Sequence, residues 1–229
     1  MAGLARSLAL ASCLGACDVA RSEPAASPTL RDLYHLAAPR ELTAASTALV
    51  LVDFQDEFFH GKLPVAHGEA AVARAAALRQ WARAHGVLVV HVRNVVTRPD
   101  TPIFGEHSPT IAIVPALTPA ADELVITKHQ AGGFSKTELD QTLRARGVDT
   151  VIVAGIMTHL AVDTTARDGA VLGYRMIVAG DACATRTLRA TDGGPPIDAA
   201  VLQRVALASI ADRFADVLDV DAIRALPVR

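Results

Sequence analysis

The sequence predicts an α/β protein: a doubly wound, mostly parallel sheet of six strands, Rossmann-like, with helices on both faces. Three observations carry that prediction. Short apolar runs rich in Val and Ile recur along the chain, the stretches between them set apolar residues at helical spacing, and a glycine stands just ahead of several runs. Strands covered on both faces read as unbroken apolar runs because neither face meets water. A repeated order of strand, helix, glycine and strand is how parallel strands joined by helical crossovers appear in sequence.

"TALVLVD" (47–53) is the first run and ends in an acid. Val72, Ala75, Leu78, Trp81 and Ala82 then form one helical stripe, the face a helix turns to a core. "HG" (85–86) closes that helix with glycine where a left-handed C-cap is wanted, and "VLVVHVR" (87–93) is the second strand. Residues 94–122 hold five of the twelve prolines and little periodicity. So long a connection inside a compact domain is usually functional, and here it is expected to be a lid or pocket wall. "LVITK" (124–128) is the third strand, and "RG" (146–147) ends a helix before the fourth, "TVIVAG" (150–155). "LGY" (172–174) ends another before the fifth, "RMIVAGDA" (175–182). Ile197, Val201, Val205 and Ala208 mark a further helix, and "DVLDV" (216–220) completes the sheet.

The 229 residues, 51% apolar and 20% charged, suffice for one sizeable core and fit one domain better than two. A net charge of -2 with no stripe of Lys and Arg lacks the footprint of a nucleic-acid binder, so a small molecule is the expected partner. With Cys13, Cys17 and Cys183 alone, neither a disulfide framework nor a zinc spacing is available. No metal and no cofactor is expected.

Residues 1–28 are read apart from a single domain at 29–229. Arg6 precedes an apolar run ending in small residues, the layout of an export signal. "LGAC" (14–17) is similar to a bacterial lipobox, which would put a lipid anchor on Cys17, and "RSEPAASPT" follows as a tether. The alternative is a dispensable extension. Location is open between an exported or periplasmic lipoprotein and the cytoplasm.

Ligands of a parallel sheet bind outside the carboxyl ends of the strands, so the polar residues that end the strands are the candidates. They are Asp53 with Gln55, Asp56 and Glu57; His91, Arg93 and Asn94; Lys128; Gly155 to His159; and Asp181. Asp53 and Lys128, if they meet in a partly buried site, hold each other charged and form a pair able to move protons. Backbone N–H groups where the helix after the fourth strand begins point into the same space and suit an oxyanion.

"ALVLVDFQDEFF" (48–59), the stretch 125–186 and the turn G-x-x-T-H-x-x-V within it resemble the isochorismatase-like hydrolase superfamily, also called the cysteine hydrolase family. The resemblance covers about residues 30–220. It implies a triad of Asp, Lys and Cys, matched by Asp53, Lys128 and, at the nucleophile position, Ala161. It also implies a non-proline cis peptide at Met157–Thr158, an oxyanion hole of the Met157 and Ala161 N–H groups, and a homo-oligomer. Gln55, Phe134, Thr158 and His159 are the expected substrate contacts.

A methyl group cannot attack a carbonyl. The family's reaction is hydrolysis of a C–N bond in a small amide, imide or carbamoyl compound, and amidase activity is expected to be absent or very low in this chain. Two alternatives stand beside a lost or removed nucleophile. One is a non-catalytic ligand-binding pseudoenzyme. The other is an isochorismatase-type vinyl ether hydrolase that needs no cysteine and uses Asp53 as the acid. Against the last, such enzymes usually carry an aromatic at the position of Met157. The D-x-H metal cluster of the nicotinamidase branch has no counterpart at 94–102.

Each candidate also has a plain structural role open to it. Asp53 could cap a turn, Lys128 could lie on the surface, and His159 could be a structural hydrogen-bonder. Thr164 and Thr165 read as helix-face packing, Cys183 as a small buried hydrophobe, and His91 and Arg93 as split between core and rim. Asp181 is a weak candidate that could orient a neighbouring loop.

Overall fold

The computed structural model describes residues 26–229, so the export signal expected at the N-terminus and the lipid anchor expected at Cys17 fall outside the described residues. The strands are β1 (Thr47–Val52), β2 (Leu88–Asn94), β3 (Leu124–Lys128), β4 (Thr150–Ile156), β5 (Arg175–Ala184) and β6 (Asp216–Leu218). All pairings are parallel, in the order β3-β2-β1-β4-β5-β6. The order reverses at β1 and β4, which places a crevice above their carboxyl ends. β1 and β4 are buried along their whole length, as their unbroken apolar runs require.

The helices are α1 (Leu30–Leu33), α2 (Gly68–Ala84), α3 (Leu139–Arg144), α4 (Asp163–Val171), α5 (Ala199–Arg213) and α6 (Val220–Arg224). Alternation along β1 divides the core in two. Leu49 and Leu51 face α2 and α6 through Leu78, Trp81 and Ile223, whereas Ala48, Val50 and Val52 face α3, α4 and α5 through Leu143, Ala166 and Ile210. Gly86, Gly147 and Gly173 have φ of +70°, +68° and +92°, the left-handed helix ends read from "HG", "RG" and "LGY".

Two strand ends differ from the sequence reading by two residues, and the others agree to within one. β6 stops at Leu218 because the Asp219 side chain accepts the Ala222 N–H and caps α6. β5 runs on to Ala184, which keeps Asp181 off the rim. There Asp181 accepts the Val220 N–H (2.8 Å) and pairs with Arg74 (2.6 Å), tying β5 to α6 and α2.

Gly155 positions the site. β1 and β4 approach so closely that a Cβ on residue 155 would lie 2.4 Å from the Val52 carbonyl oxygen. A side chain there would force apart the two strands whose ends carry the candidate chemistry.

Candidate active site

β1 ends at Val52, and Asp53 turns out of it with φ +54°, a left-handed conformation that Asp tolerates better than most residues. Its N–H stays on the Val92 carbonyl (2.8 Å). Lys128, the last residue of edge strand β3, is fully buried and reaches past β2. Its Nζ lies 2.8 Å from Asp53 Oδ2 and donates to the Gln130 carbonyl at 3.0 Å. Asp53 Oδ1 is buried with no hydrogen-bond partner among the described residues. Burial pushes the Asp53 carboxyl up to about 6, and Lys128 offsets only part of that rise. A carboxyl there exchanges its proton close to neutral pH.

The chain leaves β4 through a cis peptide at Ile156–Met157, one residue ahead of the expected Met157–Thr158. A single π-helical turn, Thr158–Val162, then leads into α4, with the Val162 N–H on the Met157 carbonyl at 3.2 Å. Ala161 sits in that turn, 3% exposed. Asp53, Lys128, Met157 and Ala161 line one cavity of about 310 Å³.

Most of the remaining cavity wall is apolar and comes largely from residues the sequence did not single out. Phe58 and Leu63 follow β1, Leu160 belongs to the turn, and Val96, Ile103 and Phe104 come from the 94–122 segment. That segment is therefore a pocket wall, pinned to the loop after β1. Asp56 N–H bonds Ala112 O (2.9 Å), Val114 N–H bonds Phe54 O (2.9 Å), and Thr110 donates to Glu57 (2.5 Å). Asn94 and His129 supply polar edges. Pro102 and Gly105 around "IF" (103–104) mark a turn in the sequence, but not the direction in which it faces.

Four expected substrate contacts stand elsewhere. The Gln55 amide is wholly engaged: Nε2 donates to the Asn94 and Ile111 carbonyls (2.9 and 2.8 Å), and Oε1 accepts the Asn94 N–H (2.7 Å). With no exposed surface, it is a clamp. Phe134 stacks on Tyr174 (5.5 Å between ring centres) in the α3–α5 core, so it is packing. Thr158 is buried outside the cavity lining, its hydroxyl unpartnered among the described residues. His159 turns away to Thr185 on the β5 side, and burial, then the charge of Arg186, lowers its pKa.

The remaining candidates are structural. His91 is buried against Glu123 (3.0 Å), and Arg93 bonds Thr127 (3.1 Å). Thr165 links the Gly133 N–H to the Ala161 carbonyl. Cys183 is buried, and burial pushes its thiol up to about 12, so it is inert as a nucleophile at neutral pH. Among the described residues no three His, Cys, Asp or Glu side chains are grouped to hold a metal ion.

The family model of the isochorismatase domain matches residues 47–222. A secreted isochorismatase effector of Verticillium dahliae is 37% identical over 176 residues, 77% of this chain and 89% of that protein. A cysteine hydrolase of Pseudomonas syringae pv. phaseolicola 1448A has a similar structure (TM-score 0.76, 32% identity, covering 82% of this chain and 97% of that one). So does N-carbamoylsarcosine amidase of Thermoplasma acidophilum (TM-score 0.66, 30% identity, 77% and 97%).

Proposed function

The chain belongs to the isochorismatase family of hydrolases, and on that premise we propose that it hydrolyses a small molecule without a covalent intermediate, with Asp53 as proton donor and acceptor. One observation carries this reading. The position where a thiol would attack holds the methyl of Ala161, while the carboxyl beside it keeps one oxygen unpartnered and a pKa of about 6. The bond best matched to that equipment is a vinyl ether.

Protonated Asp53 gives its proton to the terminal vinyl carbon, and the double-bond electrons form the new C–H bond. The resulting oxocarbenium carbon takes up water, whose surplus proton returns to the Asp53 carboxylate. The hemiketal then collapses to a carbonyl compound and an alcohol. Lys128, 2.8 Å away, steadies the carboxylate during the interval in which its proton is on the substrate.

A second reading is a dormant C–N hydrolase, favoured by the Met157–Ala161 turn and by the likeness to an amidase. There the Met157 and Ala161 N–H groups would hold an oxyanion, and only the attacking thiol is lacking. The test is alcohol release from vinyl ethers and ammonia release from small amides and carbamoyl compounds, measured on the native chain, Asp53→Asn and Ala161→Cys. Vinyl ether turnover by the native chain, abolished in Asp53→Asn, supports proton transfer. Ammonia release confined to Ala161→Cys supports the dormant amidase. Inactivity of all three rejects both in favour of a binding protein. The homo-oligomer implied by the family resemblance is part of the proposal, checked by light scattering.

A further inference from the structure

We infer that the cavity selects an uncharged substrate whose planar apolar part lies against Phe104, which makes Phe104 the residue that sets specificity. This rests on the cavity being the substrate site, and it concerns the affinity of that site while Asp53 is ionised.

The argument begins with charge. Lys128 is the single Lys or Arg lining the cavity among the described residues, and Asp53 already holds it at 2.8 Å. With Asp53 ionised, as it is at pH 8, an anion entering would meet its open oxygen while Lys128 is already engaged, so repulsion opposes it. A cation would meet Lys128 in the same dry setting. Arg98 lines the neighbouring groove of residues 96–108 together with Asp100 and Glu106, outside this cavity. His129 has Nδ1 on the Val95 carbonyl (2.7 Å). The polar edges suited to an uncharged head group are the amides of Asn94 and Gln130. The Asn94 backbone is clamped on both sides by Gln55, which fixes the position from which its side-chain amide, with one donor and one acceptor end, borders the cavity.

The wall points the same way. Phe104 has φ +54°, a conformation that is a true outlier for a bulky side chain and natural for glycine. The strain is maintained with Phe104 5% exposed, its ring 5.4 Å from that of Phe58 at a 58° tilt, and its carbonyl accepting the Val96 N–H at 2.8 Å. Backbone strain of this kind collects where a side chain must be presented to a ligand. Phe104 lines the cavity beside Val96 and Ile103, so its ring is the aromatic group that a flat, uncharged substrate would meet there.

The test uses the full chain and three probes, with binding read by calorimetry: benzamide (planar and uncharged), benzoate (the same shape with a charge) and acetamide (the head without the ring). Benzamide should bind at least about tenfold more tightly than benzoate at pH 8, a gap that shrinks in Asp53→Asn. Phe104→Gly and Phe104→Leu should each weaken benzamide by about three- to tenfold and leave acetamide unchanged. Phe104→Leu keeps apolar bulk, so it still reports if the glycine variant fails to fold. Benzoate binding as tightly as benzamide, or an unchanged benzamide affinity in Phe104→Leu, overturns the inference. So does vinyl ether turnover by a chain that binds none of the probes, which leaves the reaction intact. The converse, probe binding with these ratios but no turnover, removes the reaction and keeps the selectivity.

Discussion

Glu123 and Asp53 are both carboxylates with almost no exposed side-chain surface, and both stand beside basic groups, one under the edge of the sheet and one at its carboxyl rim. Glu123 is saturated. It accepts from Arg79 Nη2 (2.7 Å), Arg83 Nη1 (3.1 Å), the Ala120 N–H (2.8 Å) and His91 Nε2 (3.0 Å). Burial alone would raise its pKa, but these donors hold it at about 2. Asp53 has one cation and an open oxygen, so burial dominates and the carboxyl sits at about 6. The number of donors, more than the depth of burial, decides whether a buried acid is framework or can exchange a proton.

Removing each charge in turn is the strongest way to break that comparison. Asp53→Asn is expected to lower turnover by about 10²- to 10⁴-fold, the usual worth of a general acid. Glu123→Gln should leave turnover per folded molecule intact and cost about 3–5 kcal/mol of stability, because three basic side chains lose the charge they surround. Asp53→Asn should cost less than that, because burial already disfavours the Asp53 charge that the substitution removes, whereas the Glu123 charge is strongly favoured by its donors. Urea unfolding run beside vinyl ether turnover measures both quantities. A larger stability loss for Asp53→Asn than for Glu123→Gln would invert the comparison.

The two acids should also impose opposite slopes on stability against pH. Glu123 is held below its ordinary 4.5 at about 2, so its contribution is full above 4.5 and is lost as pH falls through that interval. Asp53 is raised from 3.8 to about 6. Between those values the folded chain keeps a proton that the unfolded chain has released, so its contribution is full below 3.8 and falls as pH rises towards 6. Referencing the native chain to Glu123→Gln and to Asp53→Asn across pH 3–7 isolates each slope. Turnover through protonated Asp53 should decline about tenfold per pH unit above about 6, and a profile flat to pH 8 would remove Asp53 as the acid.

Much of this was legible in the sequence, and the limits have physical causes. The six strands, the glycine helix ends and the Asp53 and Lys128 positions follow from apolar runs and from the rule that sites lie at strand ends. Once a strand ends, its two-residue period no longer says where a side chain points. That is why Gln55, two residues past Asp53, was expected in the pocket and instead clamps Asn94. Phe104 was hidden for another reason: nothing in "PDTPIFGEH" announces a phenylalanine with positive φ, which long-range pinning of the 94–122 segment imposes. The Glu123 cluster was invisible because Arg79 and Arg83, four residues apart on α2, read as an ordinary solvated helix face.

Asp181 gives the smallest and sharpest check, because it looks like Asp53 in sequence: both close an apolar strand pattern. The structure gives it a framework role, with both oxygens engaged, on Arg74 and on the Val220 N–H. Its side chain is about a third exposed at 33%, so water screens the ion pair and the backbone contact carries most of its value. Asp181→Asn keeps an oxygen for the Val220 N–H and should cost under about 1 kcal/mol with turnover unchanged. Asp181→Ala also removes that acceptor at the start of α6 and should cost about 1–2 kcal/mol. Melting temperatures of the two variants, read beside turnover, test the placement. A turnover loss in Asp181→Asn as large as that in Asp53→Asn would mean that ending an apolar strand in an acid, rather than leaving one buried oxygen without a donor, is what confers the chemistry.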